Sequence, residues 1–209
     1  MKCANERSKN SEVYATASDF EQIFTQDMSS LYLLSFLLTG NQEKAEECFL
    51  AGVADCTKGN PVFKEWARSW ARRAIIQNAI RSTSPRASSS AMPNHLPRQE
   101  LERVPLTLQS EVYAILELPL LERFAFVMSA LERYTNHDCA ILLACAPRDI
   151  AEAWTRAVRQ LGWSLTLRCD NPSDGSHRNL AAHEDTQWVR ELAIVRHLAT
   201  PPLLNPMGL

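Results

Sequence analysis

Apolar residues recur through the first half of the chain at the spacing of helices with one buried face. No segment alternates apolar and polar residues for long enough to predict a strand, so we expect an all-α fold. Residues 18–81 form the first predicted helical domain. We expect a long helix that is capped at Ser18 and ends at Thr39-Gly40, a second helix capped by Asn41, and a third that begins at Pro61 and reaches about Arg81.

A second small helical domain is predicted for residues 98–161. Its apolar positions indicate a helix with its stripe at Phe124, Val127, Met128 and Leu131, a helix capped by Asn136, and a third that begins at Pro147. Two short helices across a tight turn, supported by another helix, predict a helix-turn-helix, which can place a helix in a DNA groove. An αα-hairpin of an ordinary bundle gives the same pattern. The third helix is expected to bury Ile150, Trp154, Ala157 and Leu161.

The segments outside the two blocks differ in composition. Residues 82–97 read STSPRASSSAMPNHLP, which predicts a flexible linker because the apolar content is too low to offset ordering. We therefore expect proteases to cut there first and to leave two helical fragments. Residues 162–209 form a C-terminal extension with one short predicted helix, Trp188 to Leu198.

The formal net charge of -2 gives no general attraction for nucleic acid, so a DNA-binding surface has to be local. The clearest basic stretch holds five cations against Glu65 alone. Trp66 and Trp70 lie one turn apart within it; exposed tryptophans can stack on unpaired bases, but we expect both to be core residues. We favour nucleic-acid binding over a solvated face for the arginines. The cations are Lys64, Arg68, Arg72, Arg73 and Arg81, and the later helix adds Arg148, Arg156 and Arg159 with Asp149 and Glu152 among them.

Other function classes have little support in the sequence. Six scattered cysteines form no CxxC pair, which is typical of buried thiols in a reduced, cytoplasmic protein. The apolar run from Leu31 to Leu38 is too short for a membrane span. We find no glycine-rich phosphate loop, no HExxH and no nucleophile elbow. We therefore expect no enzyme activity, no cofactor and no metal site.

The second block resembles region 4 of sigma-70-type RNA polymerase sigma factors, and most of all their extracytoplasmic-function group. It departs from that family at the turn glycine, which is Ala144 here. The run Asp149 to Ala153 also replaces the polar and basic residues with which the recognition helix usually contacts DNA. The matching residues are Leu118-Pro119, Glu122-Arg123, Phe126-Val127, Leu131-Glu132, Tyr134, Ala140, Leu143, Ile150, Arg156-Ala157 and Leu161.

The stretch from Phe20 to Arg81 resembles sigma region 2, the module that contacts the polymerase clamp and opens the -10 promoter element. Leu50 and Ala51 stand where the clamp-binding helix usually continues with polar residues, and Arg73 stands where the family has asparagine. The matching residues are Leu38-Thr39-Gly40, Ala45-Glu46-Glu47, Trp66, Ala71-Arg72 and Arg81. The polymerase contacts that the resemblance implies are Glu46, Glu47, Phe49 and Leu50.

Both resemblances occur in the family's order and with its linker. They imply a divergent sigma-factor-like protein that binds core RNA polymerase and promoter DNA without a cofactor, and that an anti-sigma regulator could control. Two alternatives stay open. The first is a polymerase- or regulator-binding protein that has lost promoter reading, which the altered recognition helix favours. The second is a small helical enzyme whose site the sequence does not reveal.

Overall fold

A computed structural model describes residues 13–58, 61–85 and 106–169, except for the side chains of 106–107 and 163–169. Every regular element in these ranges is a helix, and the β contact recorded there is an isolated antiparallel bridge between Tyr14 and Phe63. The expected all-α class is therefore confirmed for this part of the chain. Contacts divide the described residues into two compact units, one with residues 13–58 and 61–84 and the other with residues 85 and 106–169.

The first unit contains α1 (Ala17–Gln26), α2 (Met28–Thr39), α3 (Gln42–Lys58), a 3-10 turn (Lys64–Trp66) and α4 (Ala67–Thr83). The second contains α5 (Leu106–Leu116), α6 (Leu120–Phe126), a π-helical turn (Val127–Leu131), α7 (Asn136–Leu143) and α8 (Pro147–Cys169). Because α4 continues through Thr83, the first two residues of the predicted linker are helical. Residues 86–105 and 170–209, with most of the linker and the predicted helix at 188–198, lie outside the described residues.

The start of the first unit differs from the prediction in two ways. The cap is Thr16 and not Ser18, because the Thr16 hydroxyl accepts from the Asp19 amide at 3.3 Å while the Asp19 carboxylate accepts from the Thr16 amide at 2.8 Å. The long helix predicted up to Thr39 is two helices separated by Asp27, whose backbone (φ -99°, ψ 15°) leaves the helical conformation.

The boundaries of α2, α3 and α4 follow local sequence signals only in part. Gly40 ends α2 in the left-handed conformation (φ 65°), and the Asn41 side chain accepts from the Lys44 amide at 2.9 Å, so both predictions are confirmed. The helix α3 begins at Gln42, directly after this cap. Pro61 does not begin α4, since a 3-10 turn intervenes.

The core of the first unit forms where α2, α3 and α4 pack together. Leu31 and residues 33–39 of α2 are buried, and the Ser35 hydroxyl among them donates to the Ala45 carbonyl at 2.6 Å. The helices α3 and α4 approach closely at Gly52, where an added Cβ would lie 2.7 Å from Cδ1 of Ile75. Any larger residue at this position would therefore displace the Ile75 side chain.

The second unit is built around α6 and α8. All residues from Leu121 to Met128 are buried, and the Trp154 ring of α8 stacks on Phe126 with centroids 5.6 Å apart. Ile150, Ala157 and Leu161 are buried as predicted, whereas Trp154 is half-buried.

The α7–α8 connection has one prediction corrected and one confirmed. Thr135, and not Asn136, caps α7 through a capping box with Asp138. Pro147 is the first residue of α8, as predicted. Ala144 ends α7 with φ 51° and ψ 46°, a left-handed conformation that favours glycine.

A buried cation joins α6 to the end of α5. The Arg123 guanidinium donates through Nη1 to the Leu116 carbonyl at 3.2 Å, while its Nε has no hydrogen-bond partner. Burial lowers the pKa of Arg123 to about 10, so the side chain is still protonated at neutral pH. Its charge lies at a helix C-terminus, where the helix dipole favours a cation.

Candidate functional site

The tryptophans of the basic stretch are exposed, and the prediction that they belong to the core is wrong. Trp66 is 57% exposed and Trp70 is 38% exposed. The reason lies in the face that α4 buries, which consists largely of small residues such as Ala67, Ala71 and Ala74. Because these residues allow α4 to pack closely against its neighbours, the large indole rings one position before Ala67 and Ala71 lie outside the contact.

These tryptophans belong to a larger group that we call the aromatic strip: Tyr14, Phe63, Trp66 and Trp70. The Tyr14 and Phe63 rings stack with centroids 4.9 Å apart and an interplanar angle of 24°. Phe63 meets Trp66 nearly edge to face, at 5.2 Å and 82°. Phe63 is itself 37% exposed, so the strip presents aromatic surface to solvent on three of its four residues.

Two arginines of the basic stretch hold carboxylates within the first unit. Arg68 donates through Nη1 to the buried carboxylate of Asp27 at 2.6 Å and through Nη2 to the Gln26 amide oxygen at 3.0 Å. Arg81 pairs with Asp55 at 3.3 Å. Asp27 is also the residue that separates α1 from α2, so the Arg68 pair ties that junction to the first turn of α4.

The remaining arginines of the basic stretch lie in the middle of α4. Arg72 and Arg73 are both half-buried. Arg73 forms no ion pair with any described residue, so its charge is available to a ligand. The arginines of the basic stretch therefore differ in whether a carboxylate holds them, a difference that charge counting along the sequence does not show.

The exposed face of α8 carries cations that are mostly paired with carboxylates. Arg148 donates through Nε to Glu152 at 2.8 Å, and this hydrogen bond raises the pKa of Arg148. Arg156 donates through Nε to the largely buried Glu122 of α6 at 2.6 Å and lies 4.0 Å from Glu152. Among the described residues, Arg159 has no ion-pair partner.

The residues that the sequence assigned to polymerase binding lie on α3 and do not all face solvent. Glu46 and Glu47 are exposed, and Leu50 is 67% exposed, a high value for a large apolar side chain. The Phe49 ring instead packs edge to face against Phe24 at 5.4 Å. Phe49 therefore supports the fold of the unit, and the other three form an exposed surface that we call the α3 face.

The described part of the chain offers no site for metal or thiol chemistry. It contains no group of three His, Cys, Asp or Glu side chains that could hold a metal ion. Burial raises the pKa of the Cys56 thiol to about 12 and also raises the pKa of the Cys48, Cys139 and Cys145 thiols, so all four are protonated at neutral pH. None of the helices described combines the length and apolar character that crossing a bilayer requires.

Sequence reasoning missed Tyr14 and the carboxylates that hold the arginines. Tyr14 lies in no periodic pattern, and only its antiparallel bridge to Phe63 brings it to the strip. The partners Asp27, Asp55 and Glu122 are far along the chain from the arginines that they bind. An acidic residue close to the apolar stripe is at most a weak signal for such a pair.

Comparison with known proteins gives no match among protein-family models, curated proteins or solved structures. The resemblance to sigma regions 2 and 4 therefore stays a prediction.

Proposed function

We propose that this chain is a sigma-factor-like transcription protein that binds core RNA polymerase and promoter DNA. We further propose that its affinity for DNA resides mainly on α4 and much less on α8. The observation that carries this proposal is the exposure of Trp66 and Trp70 beside the half-buried, unpaired cation of Arg73. Exposed rings stack on unpaired bases, and arginine both pairs with phosphate and stacks on bases.

The charges on α8 support this division of affinity. A DNA-reading helix needs cations that are free to approach phosphates and base edges. Here Glu152 and Glu122 hold two of the three arginines, and Asp149 accepts from the Ala146 amide at 3.3 Å at the start of the helix. Each of these carboxylates repels phosphate, so α8 offers little net attraction.

The α3 face is the part of the protein that we assign to the polymerase. Leu50 projects from α3 one turn after Glu46 and Glu47 and leaves apolar surface in contact with water unless a partner covers it. Apolar residues bordered by polar ones are common in protein–protein contacts. A regulator of the anti-sigma kind could cover the same face.

The division into two domains and the helix-turn-helix are part of the same proposal. We infer that the two compact units are domains joined by the part of the predicted linker that follows Thr83, and that α7, the turn at Ala144 to Ala146 and α8 form a helix-turn-helix. The left-handed Ala144 stands where the family has its turn glycine, which supports that assignment. The cytoplasm is the expected location of a protein with this role.

The test of polymerase binding compares two exposed apolar residues of the first unit. Core RNA polymerase is immobilised, and retention of the intact protein is compared with that of Leu50→Gln and of the control Met28→Gln, whose wild-type side chain is 53% exposed on α2. We expect Leu50→Gln to reduce retention and Met28→Gln to leave it unchanged. Equal retention of all three proteins would contradict the assignment of the α3 face.

The test of DNA binding uses single arginines that hold no carboxylate. Affinity for a forked promoter fragment is measured over a salt series for Arg73→Gln and for Arg159→Gln. Removing one phosphate-binding cation flattens the plot of log affinity against log salt by about 0.9. We expect that change for Arg73→Gln and a smaller one for Arg159→Gln. A larger effect of Arg159→Gln would show that α8 provides the DNA affinity.

A second candidate is a polymerase- or regulator-binding protein that does not read promoters. The observation that favours it is that Arg148 and Arg156 of α8 are held in ion pairs with Glu152 and Glu122. Run-off transcription with core polymerase separates the two candidates. Retention on the polymerase without any promoter-dependent transcript would favour this second function.

A further inference from the structure

The segment from Val13 to Thr16 is held against the residues that precede α4. The Ala15 amide donates to the Val62 carbonyl at 2.7 Å, and Tyr14 and Phe63 form the antiparallel bridge. Phe63 has an extended backbone (φ -60°, ψ 139°) and directly precedes the 3-10 turn. Its orientation depends on the contacts that its ring makes with Tyr14 and Trp66.

A second contact secures the same segment from its other end. Asp19, in the capping box at the start of α1, lies 3.6 Å from Nζ of Lys64, which follows Phe63 directly. Residues 14–19 therefore meet residues 62–64 through a backbone hydrogen bond, a ring stack and an ion pair. Because these three interactions lie within one short stretch, together they fix the position of Tyr14.

The contacts continue from Phe63 to the exposed tryptophan. The Trp66 amide donates to the Phe63 carbonyl at 2.9 Å, and the two rings meet edge to face at 5.2 Å. Tyr14 covers one face of Phe63 and so limits the rotamers that Phe63 can adopt beside Trp66. A stacking surface binds best when its rings are already in the orientation that the ligand needs.

We propose that Tyr14 is a positioning residue for single-stranded nucleic acid: it holds Phe63, and through Phe63 the Trp66 ring, in the orientation that accepts unpaired bases. This inference rests on the proposed DNA-binding function of α4. It adds a residue from outside the basic stretch, and it assigns the strip a ligand class, unpaired nucleobases.

The test uses the full chain and a single-stranded oligothymidylate of about 12 nucleotides, a length within the usual site sizes for single-strand binding. Tyr14→Leu removes the flat ring but keeps apolar bulk, and Tyr14→Phe keeps the ring. Tyr32→Leu is the matched control, because Tyr32 is also a half-buried tyrosine of the first unit and its ring packs against Phe49 of α3. Thermal unfolding of each variant shows whether any decrease in affinity comes from loss of fold.

We expect Tyr14→Leu to bind the oligonucleotide about fivefold more weakly or worse, which is the lower end of what one base–aromatic stack contributes. Tyr14→Phe should remain within about twofold of the wild type, and so should Tyr32→Leu. The quenching of tryptophan fluorescence by bound oligonucleotide should also fall in Tyr14→Leu, because the Trp66 ring then stacks less completely. A role of Tyr14 in stability alone would not change that amplitude at saturation.

Other results would overturn the inference in distinguishable ways. Wild-type affinity in Tyr14→Leu, combined with weaker binding by Trp66→Ala, would refute the positioning role and leave DNA binding by α4 intact. Equally weak binding by Tyr14→Leu and Tyr14→Phe would exclude the ring as the cause. No effect from Trp66→Ala, or no binding by the wild type, would refute the DNA-binding function together with this inference. Weaker polymerase retention in Tyr14→Leu at unchanged oligonucleotide affinity would mean that the strip binds protein.

Discussion

The substitution Glu152→Gln should increase the small DNA affinity of α8. Glu152 accepts from Arg148 at 2.8 Å, so its removal frees the Arg148 guanidinium and deletes a negative charge that would face phosphate. Arg156 is not freed to the same degree, because Glu122 still holds its Nε at 2.6 Å. The structure therefore predicts one new phosphate contact, from Arg148, and not two.

The magnitude follows from counterion release. One additional phosphate contact steepens the dependence of log affinity on log salt by about 0.9, so lowering the salt fourfold favours the variant by about 3.5-fold more than the wild type. The hydrogen bond from Glu152 raises the pKa of Arg148, so its removal moves that pKa back toward the ordinary value for arginine. Arginine stays protonated there, and the gain in affinity should be the same between about pH 6 and pH 8.

The assay is fluorescence anisotropy on a labelled duplex of about 25 base pairs, titrated at four or more salt concentrations. Glu21→Gln is the matched control, because it makes the same change in net charge at an exposed position of α1, in the other unit. The reasoning would be refuted if Glu152→Gln had the wild-type slope, or if Glu21→Gln steepened the slope as much. Adding Arg148→Gln to the variant should abolish the gain.

Three further predictions concern stability. Ala144→Gly should raise the free energy of unfolding, measured by denaturant titration, by about 0.5–1 kcal/mol. A left-handed alanine costs about 1–2 kcal/mol, and the larger unfolded-state entropy of glycine offsets part of the relief. Ala146→Gly, at a position where φ is not positive, should not raise the free energy of unfolding. Arg68→Gln leaves a buried carboxylate without its ion pair and should cost about 1–3 kcal/mol, whereas Arg73→Gln should stay within about 0.5 kcal/mol of the wild type in the same titration; equal destabilisation by both would contradict the assignment of the ion pair. The backbone hydrogen bond from Thr16 holds the pKa of Asp19 below its ordinary value of 3.8, so this carboxylate stabilises the fold above that pH, and the contribution disappears as pH falls through the folded-state pKa. The melting temperature of Asp19→Asn should therefore fall less steeply with acidification than that of the wild type. An equally steep fall would show that other groups cause the loss of stability in acid.

Local signals in the sequence were sufficient where a helix boundary depends on neighbouring residues. Gly40 and Asn41 set the end of α2 and the start of α3, because each acts through backbone groups within three or four positions of itself. The period of 3.6 also places Ala45, Cys48 and Cys56 on one face of α3, and all three are in the core. The all-α class followed from the same periodicity.

The tertiary structure decided which way the large aromatic residues face. Hydrophobicity predicts that a tryptophan is buried, but α4 packs through Ala71 and its small neighbours, since only small side chains allow close approach to α3. Trp66 and Trp70 are therefore exposed. Tyr14 joins them only because the chain folds back on itself, which no local pattern in the sequence encodes.

The availability of the arginines was decided in the same way. Arg68, Arg81 and Arg156 bind carboxylates that lie 41, 26 and 34 positions away in the chain. Counting charges along the sequence treats these cations like Arg73 and Arg159, which hold no described carboxylate. The amino-acid sequence by itself determines how many charges a helix carries, but only folding brings distant carboxylates within hydrogen-bonding distance and so decides which charges can reach a ligand.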